Sequence, residues 1–295
     1  MKCRPTYLFH ILAIFCVFVW GTTFVSTKTL LNNCLSPDSI FFYRFLMAYL
    51  AIWFISPKTL FAKNLKDEFR FLLLGITGGS CYFLTENTAL KISFVNNVAL
   101  LVCTAPLITT LLSRLFLKTE KLKKWQIVGS LIAFLGVSFV IFNGRFVLKS
   151  NPLGDFLSIS AALLWAFYTI LLKKLDSKYH IIFITRKVFF YGLMTIIPFF
   201  GFNRLQTDLA LLTRPVVAEN LIFLGMVASL LCFVLWNITL KHLGSIVPTN
   251  YIYFNPLITL ISSAIVLNEV ITPIAAIGAV LILTGLFIVG KYNTT

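Results

Sequence analysis

Residues 70–113 read RFLLLGITGGSCYFLTENTALKISFVNNVALLVCTAPLITTLLS, and residues 220–263 read NLIFLGMVASLLCFVLWNITLKHLGSIVPTNYIYFNPLITLISS. At an offset of 150, Gly75 falls on Gly225 and Asn87-Thr88-Ala89-Leu90-Lys91 falls on Asn237-Ile238-Thr239-Leu240-Lys241. Pro106-Leu107-Ile108-Thr109 then falls on Pro256-Leu257-Ile258-Thr259. One apolar pattern is thus written twice. Repeated halves of a membrane protein place a binding site between them, near the bilayer midplane. The repeat therefore points to transport before any single residue is weighed.

Composition agrees. The chain is 59% hydrophobic and 12% charged, with a mean hydropathy of +0.92. A soluble domain carries about 25% charged residues, so these few charges cannot coat a globule. Apolar runs reach about 18–24 residues, enough for about 30 Å of hydrocarbon. The net charge of +15 does not imply nucleic acid, because the basic residues form no patch or arm. They gather in alternate loops, as the positive-inside rule expects. The six cysteines show no metal-ligand spacing, and most lie in apolar runs, where cysteine packs as a small hydrophobe. No cofactor and no metal are expected. Lys2 and Arg4 precede an apolar stretch that resembles a signal peptide. It is long for one and lacks a small-x-small close, so it is read as a retained first span.

The pattern predicts an all-α membrane protein with ten transmembrane helices: 7–28, 39–56, 69–90, 95–117, 124–143, 152–173, 181–201, 217–240, 245–267 and 271–290. The repeats occupy 7–143 and 152–290. Five spans is an odd number, so the second half enters from the opposite side and the repeats are inverted. Of the 25 Lys and Arg, only Lys28, Lys91, Arg145, Lys149, Arg204 and Arg214 fall outside, and Arg44 lies within a span. The remainder puts both termini in the cytoplasm. Inverted repeats provide two pseudo-equivalent conformations, the basis of alternating access. Gly129 and Gly136, and likewise Gly278 and Gly285, stand seven apart on one helix face, which predicts close packing of spans five and ten.

Trp20-Gly21-Thr22-Thr23-Phe24-Val25-Ser26-Thr27-Lys28, Arg44-Phe45, Pro106 with Glu120, Gly129 and Gly136, Gly154-Asp155 with Trp165-Ala166-Phe167-Tyr168, and Pro256 with Glu269, Gly278 and Gly285 occur in that order. Together they resemble the ten-span EamA branch of the drug/metabolite transporter superfamily, over the whole chain. The resemblance implies helices around a central cavity, export of small metabolites such as amino acids or related solutes, and a bacterial inner membrane. Relatives of this kind move diverse cargo, so it implies a class rather than a substrate. Small multidrug members carry a first-span glutamate, which this chain lacks.

Glu86 is the one carboxylate placed deep in a span, and its counterpart is Trp236. A charge at mid-bilayer costs about 2.5–3.5 kcal/mol on insertion scales and marks function by default. Glu86 is a candidate for proton coupling or for holding a substrate ammonium; the alternative is a structural acid, hydrogen-bonded to neighbours or paired with Lys91. Arg44 suits a carboxylate cargo, but a structural role is favoured for it. Asn87 and Asn237 either line the cavity or cross-link helices. Trp20, Tyr82, Trp165, Trp236, Tyr251 and Tyr253 either line the cavity or pack. Asn96, Asn97, Thr249, Asn250 and Asn255 begin or interrupt spans four and nine, where Pro106 and Pro256 break the helical ladder. The substrate-binding set is thus Trp20, Tyr82, Glu86, Asn87, Trp165, Trp236, Asn237, Tyr251 and Asn255.

The rival classes are an intramembrane enzyme and a non-transporting scaffold. An enzyme needs a nucleophile with a base, or a metal set, at one depth. The sequence offers one buried acid, and His10, His180 and His242 all sit near span ends. The expected partners are a small-molecule substrate and membrane lipid, without nucleic acid; the sequence assigns no oligomeric state.

Overall fold

The computed structural model describes residues 6–55, 60–117, 123–142, 151–175, 177–201, 204–258 and 272–291. They are helical, with no strand among them. Eight helices are long and apolar enough to cross a membrane by length and composition. Of the ten predicted spans, the third and ninth are not among the eight. The third nevertheless runs as helix from Leu65 to Ile92, kinked at Gly79, where φ is −128° and ψ −108°, and is polar at its middle. The ninth starts as helix, and 259–271 lie outside the described residues, as do Glu120, Glu269, Arg145 and Lys149.

In chain order the helices are α1 (Thr6–Asn32), α2 (Pro37–Ile55), α3 (Leu65–Gly75), α4 (Cys81–Ile92), α5 (Val95–Val102), α6 (Ala105–Phe116), α7 (Lys124–Phe142), α8 (Pro152–Lys173) and α9 (Ile181–Ile196). There follow α10 (Leu209–Leu212), α11 (Pro215–Ile222), α12 (Cys232–Leu243), α13 (Ile246–Asn250) and α14 (Pro273–Lys291). Local chemistry sets several ends. Asn64 accepts from the Asp67 amide to cap α3, and Asp67 and Glu68 complement the helix dipole there. Asn151 accepts from the Gly154 amide ahead of α8, with Pro152 at the first helical position. Gly244, at φ 82°, ends α12 in a conformation that glycine adopts without strain.

The irregularities recur at the offset of the sequence repeat. A widened π-helical turn joins α3 to α4 at Ile76–Ser80, and another joins α11 to α12 at Phe223–Leu231. The fourth span breaks between α5 and α6, just before Pro106; the ninth passes from α13 into a 3-10 turn at Tyr251–Phe254, just before Pro256. Gly75 lies against Tyr191 of α9, and Gly225 against Met47 of α2.

Hydrogen bonds give the directions of the helices. Lys28 Nζ donates to the Leu90 carbonyl at 2.6 Å, joining the ends of α1 and α4. Asn151 Nδ2 donates to Ile92 O at 2.8 Å, so α8 starts where α4 ends. At the other end of the bundle, Lys178 and Tyr179, just beyond α8, bond to Asp67 at the start of α3. Lys173 Nζ reaches the Leu240 carbonyl at 3.4 Å. α8 thus runs opposite to the helix spanning Leu65–Ile92, and Lys28 and Lys173 make like bonds at opposite ends.

Between these helices lies an aromatic core. Phe41, Phe45, Tyr168, Phe189, Phe233 and Trp236 are almost wholly buried. Phe45 packs edge-on to Phe83, Phe189 and Phe233, with ring centroids 5.0–5.9 Å apart, within the range where ring quadrupoles attract. Gly78 exists for this packing: a Cβ there would lie 2.2 Å from the Tyr168 ring.

Candidate functional site

A central cavity sits inside this aromatic core. Its wall takes Trp20, Thr23 and Phe24 from α1, Arg44 from α2, and Tyr82, Phe83 and Glu86 from α4. Val102, Ala105 and Ile252 come from the breaks in the fourth and ninth spans, with Trp165, Phe233 and Asn255 beside them. The polar groups are few and of opposite charge, set in aromatic and apolar surface, as small-molecule sites are built.

Tyr82 and Glu86 stand one turn apart on α4, and the phenol O–H donates to Glu86 Oε1 at 2.7 Å. Arg44 donates from Nε to Ser229 Oγ at 2.9 Å, and its guanidinium lies 4.2 Å over the Phe83 ring. Both ionisable side chains are buried. Trp20 and Trp165 meet edge to face, centroids 5.4 Å apart and planes at 89°. Trp20 Nε1 donates to the Ala228 carbonyl at 3.0 Å, inside the π-helical turn at Phe223–Leu231. Such turns leave carbonyls off the regular ladder and are frequent at functional sites. Trp165 Nε1 is buried with no hydrogen-bond partner in the structure, which leaves a donor at the cavity wall.

Of the nine residues predicted to bind substrate, Trp20, Tyr82, Glu86, Trp165 and Asn255 line the cavity. The other four lie elsewhere. Asn87 donates from Nδ2 to Pro37 O at 3.2 Å, tying α4 to the start of α2. Asn237 accepts from Tyr168 O–H at 2.8 Å and donates to Thr185 Oγ1 at 2.9 Å, joining α8, α9 and α12. Trp236 is fully buried behind Trp20, centroids 4.9 Å apart. Tyr251 shares a hydrogen bond of 2.8 Å with His10. Phe83 and Phe233 line the cavity without having been singled out, since nothing separates them from the chain's 30 phenylalanines. Arg44, expected to be structural, is both braced by Ser229 and part of the wall.

The cavity encloses about 50 Å³, far below the roughly 300 Å³ at which metabolite pockets begin. In this conformation the rings nearly fill it, and admitting cargo requires them to part.

Comparison with known proteins places this architecture. Residues 8–142 and 152–291 each match the EamA-like transporter family. The chain belongs to that family, and so to the drug/metabolite transporter superfamily; it is a multi-pass membrane transporter rather than an enzyme. It is 30% identical over 291 residues to a probable amino-acid metabolite efflux pump of Escherichia coli K12, covering 94% of this chain and 93% of that one. It is 26% identical over 283 residues to an uncharacterised transporter of Archaeoglobus fulgidus, covering 95% and 96% respectively. A solved crystal structure superposes with a TM-score of 0.76 at 15% identity, over 96% of both chains; that likeness concerns the fold.

Proposed function

We propose that this protein exports small zwitterionic metabolites, amino acids or close relatives, by alternating access between two inverted repeats, 7–143 and 152–290. The observation that carries the reading is that Arg44 and Glu86 both stand on the wall of one aromatic cavity. A cargo carboxylate suits the guanidinium, whose planar fork matches it. A cargo ammonium suits Glu86 and the faces of Trp20 and Trp165. An apolar side chain then fits among Phe24, Phe83 and Phe233. The similarity to a probable amino-acid metabolite efflux pump supports the same cargo class. The inverted arrangement is supported by the opposite direction of α8 and by the like bonds of Lys28 and Lys173 at opposite ends.

Arg44 is braced by Ser229, so its position is set before cargo arrives and less ordering is needed on binding. Glu86 gives up the Tyr82 hydrogen bond or shares it with the incoming ammonium. When cargo leaves, a proton taking the ammonium's place keeps the buried carboxyl neutral. That exchange couples efflux to inward proton movement. With both termini on the cytoplasmic side of a bacterial inner membrane, the gradient drives cargo outward.

The test is flux in proteoliposomes with three matched cargo sets: apolar amino acids, the corresponding amines and the corresponding carboxylic acids. The expected result is movement of the amino acids alone, with Arg44→Gln and Glu86→Gln each lowering it. Equal flux of amines and amino acids would remove Arg44 from recognition.

A further inference from the structure

Spans four and nine meet along a hydroxylated seam. Ser113 of α6 and Ser245, just ahead of α13, share a hydrogen bond of 2.7 Å. Cys103 Sγ, at the break before α6, lies 3.9 Å from the Ile252 carbonyl oxygen. Rising numbers on one segment meet falling numbers on the other, so the two run antiparallel. Ala105, Thr109 and Ser113 recur every four residues along α6, and Ser245, Thr249 and Tyr253 do so along the ninth span. Side chains four apart lie on one side of a helix, and all six are buried.

The seam leads from the central cavity to the basic end of the bundle. Ala105 and Ile252 stand on the cavity wall. Ser113 lies two turns further along α6, about 12 Å away at 1.5 Å per residue, next to Arg114 in the last turn. Ser245 follows α12, whose Leu240 carbonyl meets Lys173 at that same end.

Hydroxyls between membrane helices ordinarily cross-link them, and some here do. Ser113 bonds to Ser245, and Ser130 of α7 donates to Asn250 Oδ1 at 2.7 Å. The Thr109 and Tyr253 hydroxyls do not: both are wholly buried, and neither has a hydrogen-bond partner among the described residues. A buried hydroxyl left unpaired is costly, so each calls for a partner met in another conformation. The two segments are built to part. α6 begins at the break after Cys103, and α13 gives way to the 3-10 turn at Tyr251–Phe254, whose hydrogen bonds have poorer geometry. Elsewhere at this end, Lys178 and Lys187 hold Asp67 and Glu68 by charge-assisted bonds, roughly twice as strong as a neutral pair such as Ser113 and Ser245. The seam is the weaker closure.

We propose that this seam is the route by which cargo and water pass between the central cavity and the basic face, with the Thr109 and Tyr253 hydroxyls lining it once α6 and α13 separate. Hydroxyl oxygens accept from a cargo ammonium, and O–H groups donate to its carboxylate, so a column of them suits both ends of a zwitterion. The route presupposes the amino-acid transport proposed above.

Thr109→Val and Tyr253→Phe keep the shape and remove only the hydroxyl. Neither should lower the melting temperature in detergent, because no bond is lost in this conformation. Each should lower amino-acid flux in proteoliposomes about fivefold, the worth of one hydrogen bond. A lowered melting temperature or unchanged flux in either variant overturns the route. Thr109→Cys and Ala48→Cys, the latter equally buried on α2, are then compared singly in a cysteine-free background. An impermeant cationic thiol reagent should modify Thr109→Cys from the basic face and leave Ala48→Cys untouched. Silence at 109, labelling from the opposite face alone, or equal labelling at 48 also overturns the route. Labelling needs no cargo, so wild-type protein that moves no amino acid would overturn the cargo reading, while labelling at 109 from the basic face would still support the seam.

Discussion

Gly136 and Gly278 touch backbone to backbone across α7 and α14: a Cβ on Gly136 would lie 2.6 Å from the Gly278 carbonyl oxygen, and one on Gly278 would lie 2.7 Å from that of Gly136. Gly129 and Gly285 repeat the arrangement seven residues away, at 2.7 and 2.4 Å. Rising numbers on one helix meet falling numbers on the other, so α7 and α14 are antiparallel. In lipid, where no hydrophobic drive joins helices, such close backbone approach supplies the attraction. Combining Gly136→Ala with Gly278→Ala should overpack the contact and destabilise the fold by about 1–3 kcal/mol. Thermal unfolding in detergent reads this; an unchanged midpoint would mean that the contact is absent in the membrane.

The proposed inverted arrangement predicts Lys91 and Lys241 on opposite sides of the membrane. Both side chains are exposed. Single cysteines at 91 and 241, in a cysteine-free background, should react with an impermeant reagent from opposite sides. Labelling of both from one side would refute the inversion.

Trp20 and Trp165 face the central cavity, whereas Asn237 holds three helices together. Trp20→Ala and Trp165→Ala should reduce flux several-fold while sparing insertion, since losing one ring contact is worth about 1 kcal/mol. Asn237→Ala leaves the buried Tyr168 hydroxyl without its acceptor and takes a donor from Thr185, whose own O–H stays on the Ile181 carbonyl; it should cost about 1–3 kcal/mol of stability. Normal transport by both tryptophan variants would reassign those rings to packing.

Glu86→Gln keeps the shape of the side chain and mimics its protonated form. Accumulation driven by a pH gradient should disappear, while exchange of cargo across the membrane persists. Glu86→Ala should impair both processes. Vesicle uptake with and without an imposed gradient decides it: full accumulation by Glu86→Gln excludes proton coupling through this residue.

The basic end of the bundle should be acid-sensitive. Burial works against the charges of Asp67 and Glu68, but hydrogen bonds outweigh it and hold both below the ordinary carboxylate range. Those bonds come to Asp67 from Arg70, Tyr179, Lys178 and Asn64, and to Glu68 from Lys187, Tyr191 and the Ala62 amide. A carboxylate with a depressed folded-state pKa contributes stability above its unfolded value of about 4, and loses it as pH falls through the lower folded value. Asp67→Asn combined with Glu68→Gln should therefore lower the melting temperature at pH 7 and flatten its fall below about pH 4. A variant with the wild-type acid limb would sink this account.

The membrane class, the apolar spans and the close contact of spans five and ten were legible in the chain, because each depends on local content. Apolar length meets bilayer thickness, and glycines seven apart share a face whatever surrounds them. Glu86 was legible too, since a carboxylate inside an apolar run is conspicuous on charge alone. The proline breaks in spans four and nine followed from a missing donor. What only the tertiary structure decided is which of the polar and aromatic candidates meet the cavity. Asn87 and Asn237 match in sequence, yet one ties α4 to the start of α2 and the other joins α8, α9 and α12. Trp20 lines the cavity while Trp236 is buried behind it. A repeat pattern records which residues are apolar, and a helix turns about 100° per residue. Neighbours of like chemistry therefore point in different directions, and packing against other helices selects the ones that face the cavity. The same holds for Thr109 and Thr249. As sequence they are two hydroxyls in apolar runs; only the packing of α6 against α13 buries them in one seam.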